Sequence, residues 1–139
     1  RVESPYEILN QTTPRGKFLF KRIESVEKTY DSLLEKISKI ETKEKLIVFL
    51  YPSGKFSLTS ELSNELLYRF PNKIILVGRQ KGDEIRLSLR SKNLVLPPIL
   101  EKALQGVSGY GGGHDNACGG NVAKKDFFKF VSSLKKQIK

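Results

Sequence analysis

The 139 residues carry 25 Lys/Arg against 15 Asp/Glu, a net charge of +10 at neutral pH, with 38% hydrophobic residues and a single cysteine. That is enough chain for one domain with a core and an appended helix, and too apolar for a disordered tail. No apolar run nears the roughly 20 residues needed to cross a bilayer, and one cysteine excludes an internal disulfide framework and fits a reducing cytoplasm. The charge is uneven: ten Lys/Arg meet eight Asp/Glu over residues 1–45, whereas fifteen meet seven over residues 46–139. A basic second part points to an anionic partner, with nucleic acid the commonest; solubility alone is the plainer explanation.

In chain order, Arg1-Val2-Glu3 opens without an initiator methionine or a signal-peptide pattern, which reads as a piece of something longer. Residues 1–13 are polar and aperiodic, a tail or connector. Thr13-Pro14 is a helix start, with threonine as the cap and proline at the first helical position. Leu19, Ile23, Val26, Tyr30, Leu33, Ile37 and Ile40 then recur at steps of four and three. This heptad seam predicts a helix of about 25 residues, near 40 Å long, able to pack on a second copy, on another domain or on its own. After Thr42 the period changes. Leu46-Ile47-Val48-Phe49-Leu50-Tyr51 predicts a strand covered on both faces, closed by Pro52-Ser53-Gly54. Ser57 or Ser60 can cap a helix carrying Leu58, Leu62, Leu66 and Phe70, stopped by Pro71. Ile74-Ile75-Leu76-Val77 predicts a second buried strand. Gln80–Asp83 is a turn and Glu84–Ser91 a third strand, together forming a hairpin. Pro97-Pro98 opens a short helix that ends at Gly106. A glycine-rich loop follows, with a brief strand near 120–123. The last helix carries Phe127, Phe130 or Val131, Leu134 and Ile138 on one side. The predicted fold is α/β: a two-layer domain over 45–139 with a mixed β-sheet packed by helices, preceded over 1–44 by the tail and the long helix.

Two stretches could carry function. In Gly109-Tyr110-Gly111-Gly112-Gly113-His114-Asp115-Asn116-Ala117-Cys118-Gly119-Gly120, six of twelve residues are glycine, and the only histidine and cysteine sit among them. Bare N–H groups in such a loop can turn toward an anion as a concave nest; a flexible linker would be serine-rich and featureless. In the third strand, side chains alternate, so Ile85, Leu87 and Leu89 face the helices while Arg86, Ser88 and Arg90 face the other way. Arginines two apart stand about 7 Å from each other, and their planar forks suit phosphate oxygens. A solvated sheet face also commonly reads charged-polar-charged.

Other chemistries fail on count or spacing. His114 and Cys118 lack the company a closed zinc site requires, so no metal is assigned to this chain. Ser108, His114 and Asp115 are close in sequence, which does not make a triad. Gly54-Lys55-Phe56-Ser57 lacks the glycine and Ser/Thr of a phosphate-binding loop, and the third glycine of a dinucleotide fingerprint is missing after Gly111. Acidic residues are scattered, and no catalytic constellation is visible.

Arg86-Leu87-Ser88-Leu89-Arg90-Ser91, a short helix and then Gly111-Gly112-Gly113-His114-Asp115-Asn116-Ala117-Cys118-Gly119 together resemble one family. It is the DHH-associated C-terminal domain of the DHH phosphoesterases, whose members include RecJ exonucleases, nano-RNases (oligoribonucleases) and cyclic dinucleotide phosphodiesterases. The resemblance covers about residues 45–139. It implies a substrate-gripping domain in which Ser88, Arg90, Gly111, Gly112, Gly113 and His114 hold a phosphate or nucleobase end of single-stranded nucleic acid or a short oligonucleotide. Arg86 joins them from strand geometry alone. The family's metal-binding Asp and His clusters, which would hold Mn²⁺ or Mg²⁺, are absent here. The resemblance therefore implies an N-terminal catalytic domain elsewhere in the intact enzyme, with this chain inactive alone and its long helix as the connector. Two other readings stand beside it. One is an assembly module that homodimerises through the heptad helix. The other is a tRNA-binding domain like that of alanyl-tRNA synthetase, which is expected to lack histidine at this place.

Overall fold

A computed structural model describes residues 13–54 and 56–138. The tail expected over residues 1–13 thus lies, but for Thr13, outside the described residues. The chain divides into two compact units, Arg1–Ile40 and Glu41–Lys139.

The first unit holds helix α1, Pro14–Ser38. Its start is as the sequence predicts: Thr13 is the cap, its Oγ1 accepts from the Gly16 N–H at 3.0 Å, and Pro14 follows. Proline costs nothing there because the first-turn N–H groups have no intrahelical partner.

The second unit is a five-stranded mixed sheet with three helices. Its elements are β1 (Leu46–Pro52), α2 (Thr59–Arg69), β2 (Ile74–Lys81), β3 (Glu84–Arg90), α3 (Leu96–Ala103), β4 (Gly109–His114), β5 (Ala117–Ala123) and, after a 3₁₀ turn at Lys124–Asp126, α4 (Phe127–Gln137). The sheet order is β1-β2-β3-β5-β4, and only the β1–β2 pair is parallel. The predicted β2–β3 hairpin is present, and it closes at Gly82, whose φ of +59° suits glycine.

The two-layer core lies on one face of the sheet. Leu76, Leu87, Leu89, Cys118 and Val122 meet Leu96, Leu100 and Ala103 of α3 and Phe130 and Leu134 of α4. Burying each of these larger side chains contributes about 1.5–3 kcal/mol. The other face is covered only in part. There Ile47, Ile75 and Val77 are fully or almost fully buried, as are Leu62 and Leu66 of α2, the crossover helix that joins the parallel pair. Beyond β2 this second face runs on through Arg86, Ser88 and Arg90 into β5 and β4, by the alternation of the strand registers.

The glycine run departs from expectation. It is not a loop but a β-hairpin, with Gly109–His114 paired to Ala117–Ala123 around a two-residue tip, Asp115-Asn116. Glycine lacks strand propensity, so pairing and not local preference makes this strand. The tip is tied down: Asp115 O accepts from the Leu96 N–H at 2.8 Å, Asn116 O from the Ser91 N–H at 3.2 Å, and Asn116 Nδ2 donates to Lys92 O at 3.3 Å. Ser91 in turn accepts from the Leu94 N–H at 3.1 Å. The Arg90-Ser91 step therefore joins the arginine strand to the hairpin.

Candidate nucleic-acid interface

β3 alternates as its sequence requires. Ile85, Leu87 and Leu89 are buried in the core, and Arg86, Ser88 and Arg90 take the opposite face. The registers align Ser88 with Gly119 and Gly119 with Gly112, and align Arg90 with Ala117 and Ala117 with His114. All seven residues predicted for the site thus fall on β3 and β4, which β5 bridges.

A groove of about 330 Å³ lies on this face. Its floor is Arg86, Ser88, Arg90, Gly119 and Gly112, and one wall is Ser57, Thr59 and Ser60 at the start of α2. A neighbouring hollow of about 520 Å³ shares Arg86, Gly112 and Gly119 and reaches Gly111 and Tyr110, whose ring is 64% exposed. Arg86 makes no hydrogen bond or ion pair among the described residues, so its fork is available. Arg90 is held in place: Nη1 donates to Leu89 O at 3.2 Å and Cys118 O at 3.3 Å, and Nε reaches Asn64 Oδ1 of α2 at 3.4 Å. Burial pulls its guanidinium down from the ordinary value, with the Cys118 sulfur acting the other way; arginine remains charged. Burial likewise pushes the Cys118 thiol up, opposed by Arg90 and helped by Asp115. Cys118 Sγ donates to His114 O at 3.3 Å and sits in the core, a small neutral fit.

Ser88 is the most informative single group. It is 5% exposed, lines the groove, and its hydroxyl has no partner among the described residues. A buried hydroxyl without a bond costs about 1–3 kcal/mol, a cost that a ligand oxygen would remove.

The glycines separate into two groups. A Cβ would lie 2.4 Å from Asn121 O at Gly109, 2.8 Å from Gly119 O at Gly111, 2.4 Å from Ala117 O at Gly113 (φ +152°) and 2.5 Å from Tyr110 O at Gly120, so the hairpin itself needs those four. At Gly112 a Cβ would meet nothing within 4 Å, and at Gly119 only Leu87 O at 3.5 Å. Strand packing does not require glycine at either place, yet both form the groove floor.

The expected nest of bare amides is corrected. The Ala123 N–H donates to Ser108 O at 2.8 Å, which sets the phase of the β4–β5 ladder. By antiparallel alternation the N–H groups of Tyr110, Gly112 and His114 then bond to β5, while those of Gly109, Gly111 and Gly113 point to the open sheet edge. What the run presents to the arginines is bare Cα surface. His114 shares Arg90's row, is exposed, and lies two strands away, roughly 10 Å. It lines neither of these two hollows. The wall at Ser57, Thr59 and Ser60 leaves no signal in the sequence, because nothing local places it near a strand almost 30 residues on.

Among the described residues no group of three or more His, Cys, Asp or Glu could hold a metal ion, and no helix is long and apolar enough to cross a membrane.

The DHHA1 domain family model matches residues 44–139. No curated protein matches the chain. Among solved structures, the C-Ala domain of Aquifex aeolicus alanyl-tRNA synthetase aligns with TM-score 0.58 and 17% identity, covering 70% of this chain and 94% of that one. RecJ from Thermus thermophilus in complex with Mg²⁺ aligns at 0.68 and 19%, over 88% of this chain and 19% of that one. A pGpG-specific phosphodiesterase from Vibrio cholerae aligns at 0.55 and 22%, over 98% and 46%. At these identities the likeness is one of fold, and the chain spans about a fifth of RecJ and under half of the phosphodiesterase.

Proposed function

This chain belongs to the DHHA1 domain family, and on that premise we propose that it is the substrate-gripping part of a DHH-type phosphoesterase. It takes the phosphate end of single-stranded nucleic acid or a short oligonucleotide in the groove on β3, β5 and β4. Arg86 and Arg90 supply the charge, Ser88 a hydrogen bond, and Gly112 and Gly119 the close approach, with Gly111, Gly113 and His114 at the margin. The carrying observation is the buried Ser88 hydroxyl, without a partner among the described residues and set between two arginines over glycines that packing does not demand. Cleavage belongs to a catalytic domain outside these residues, and Mn²⁺ or Mg²⁺ would be bound there; the acids and the histidine described here do not fit a metal. The chain's own part is positioning, which raises the rate by fixing geometry.

The test is fluorescence anisotropy with a 3′-labelled single-stranded oligonucleotide. The chain should bind the 5′-phosphorylated form more tightly than the 5′-hydroxyl form, with affinity falling as salt rises. Arg90→Ala should weaken binding about ten-fold, and His114→Ala less. Equal affinity of wild type and Arg90→Ala for the phosphorylated strand contradicts the proposal. The C-Ala neighbour, 94% covered, favours tRNA binding as a second reading. That reading predicts competition by intact tRNA and indifference to the 5′ phosphate.

A further inference from the structure

The amide donors that the glycine run does not offer to the groove have a second source, the first turn of α2. This helix has no side-chain cap: Leu58 stands at the cap position, and neither Ser57 nor Ser60 fills that role. The Leu58 N–H donates to Tyr51 Oη at 3.1 Å, and that oxygen lies 2.6 Å from Thr59 Oγ1. The first intrahelical bond then runs from the Leu62 N–H to Leu58 O at 2.9 Å. The N–H groups of Thr59, Ser60 and Glu61 therefore precede the ladder with no cap to receive them. Such an end carries partial positive charge.

Its place in the fold gives that end a direction. Asn64, one turn beyond Ser60 on the same helix face, reaches Arg90 Nε through Oδ1 at 3.4 Å. Ser57, Thr59 and Ser60 line the groove that also holds Arg86, Ser88 and Arg90. The unpartnered Ser88 hydroxyl, 5% exposed, lies in the same groove and independently calls for a ligand oxygen. We propose that a phosphoryl group of the bound strand is held between the start of α2 and β3. Amides at Ser60 and Glu61 bond one side of it, and Ser88 with Arg90 bonds the other. This deepens the phosphate-gripping reading and rests on it: the helix and not the glycine hairpin supplies the main-chain donors.

Two variants at Ser60 test it, with the labelled oligonucleotides above. Ser60→Pro removes one amide at a position where no intrahelical bond is lost. Ser60→Asp places a carboxylate where the phosphoryl group would sit and favours the helix end electrostatically. For the 5′-phosphorylated strand, Ser60→Pro should weaken binding several-fold and Ser60→Asp about ten-fold or more. For the 5′-hydroxyl strand both should act far less, and the Tm of Ser60→Asp should not fall. Should Ser60→Pro lower the Tm, Ser60→Asp decides the matter alone. Wild-type affinity in Ser60→Asp together with weakened binding in Arg90→Ala overturns the helix subsite and leaves the phosphate reading standing. Wild-type affinity in both overturns both.

Discussion

The two ends of one sheet do different work. At the β1–β2 end, Ile47, Ile75 and Val77 are buried with Leu62 and Leu66, and the buried polar groups there, Tyr51, Thr59 and Ser63, are hydrogen-bonded to one another. At the β3–β5–β4 end the same face carries Arg86, Ser88, Arg90, Gly112 and Gly119 as the floor of a groove, which α2 borders through Ser57, Thr59, Ser60 and Asn64. The backbone scaffold is continuous, with the registers running unbroken from Leu46 to His114. Side-chain choice alone divides it into a part that holds the fold and a part that holds a ligand. β3 belongs to both, with Leu87 and Leu89 on the core side and Ser88 between them facing the groove. Stability and binding should therefore separate by face and not by distance along the chain.

The hardest break falls at the covered end. Leu66→Ala removes a fully buried side chain and should cost about 2–5 kcal/mol in urea unfolding, with the native fraction still binding oligonucleotide normally. The sharpest contrast is between two glycines. Gly120→Ala forces a Cβ to 2.5 Å from Tyr110 O and should destabilise by about 1–3 kcal/mol. Gly112→Leu enters open space and should leave stability within about 0.5 kcal/mol while weakening oligonucleotide binding about ten-fold by filling the floor. Loss of stability in both would show that the two faces of the hairpin do not separate stability from binding.

The smallest effect is on pH. The folded-state pKa of Cys118 is raised, chiefly by burial, so the native state keeps its proton longer than the unfolded chain does. Its contribution to stability is fully present below the unfolded value, about 8.5, and is lost as pH rises through the folded value. Melting at pH 7 and pH 10 should show a larger drop for wild type than for Cys118→Ala.

Much of the covered end was legible in the sequence, since the apolar run Leu46–Tyr51 marks a strand and the stripe at Leu62 and Leu66 marks a helix. Cover on both faces of that strand was not, because β1 is an edge strand and leaves Val48 and Leu50 36% and 42% exposed. The open end was legible in part. Alternation alone put Arg86, Ser88 and Arg90 on one face, and residue types drew attention to Gly109–Gly120. Its shape was hidden, because glycine signals neither strand nor loop and the β4–β5 ladder is fixed by pairing. The wall at Ser57–Ser60 was hidden for a different reason: the crossover that brings α2 beside β3 is tertiary, and a serine-threonine start reads as ordinary capping. The missing cap at Leu58 is visible only once the helix boundary is known.

Amide chemical-shift mapping of the ¹⁵N-labelled chain, titrated with a 5′-phosphorylated dinucleotide, tests the assignment of the groove most directly. The largest shifts should fall on Ser60, Ser88, Arg90, Gly112 and Gly119. Shifts confined to the outward edge at Gly109 and Gly111, or to Val48 and Leu50 on β1, would place the ligand elsewhere and contradict it.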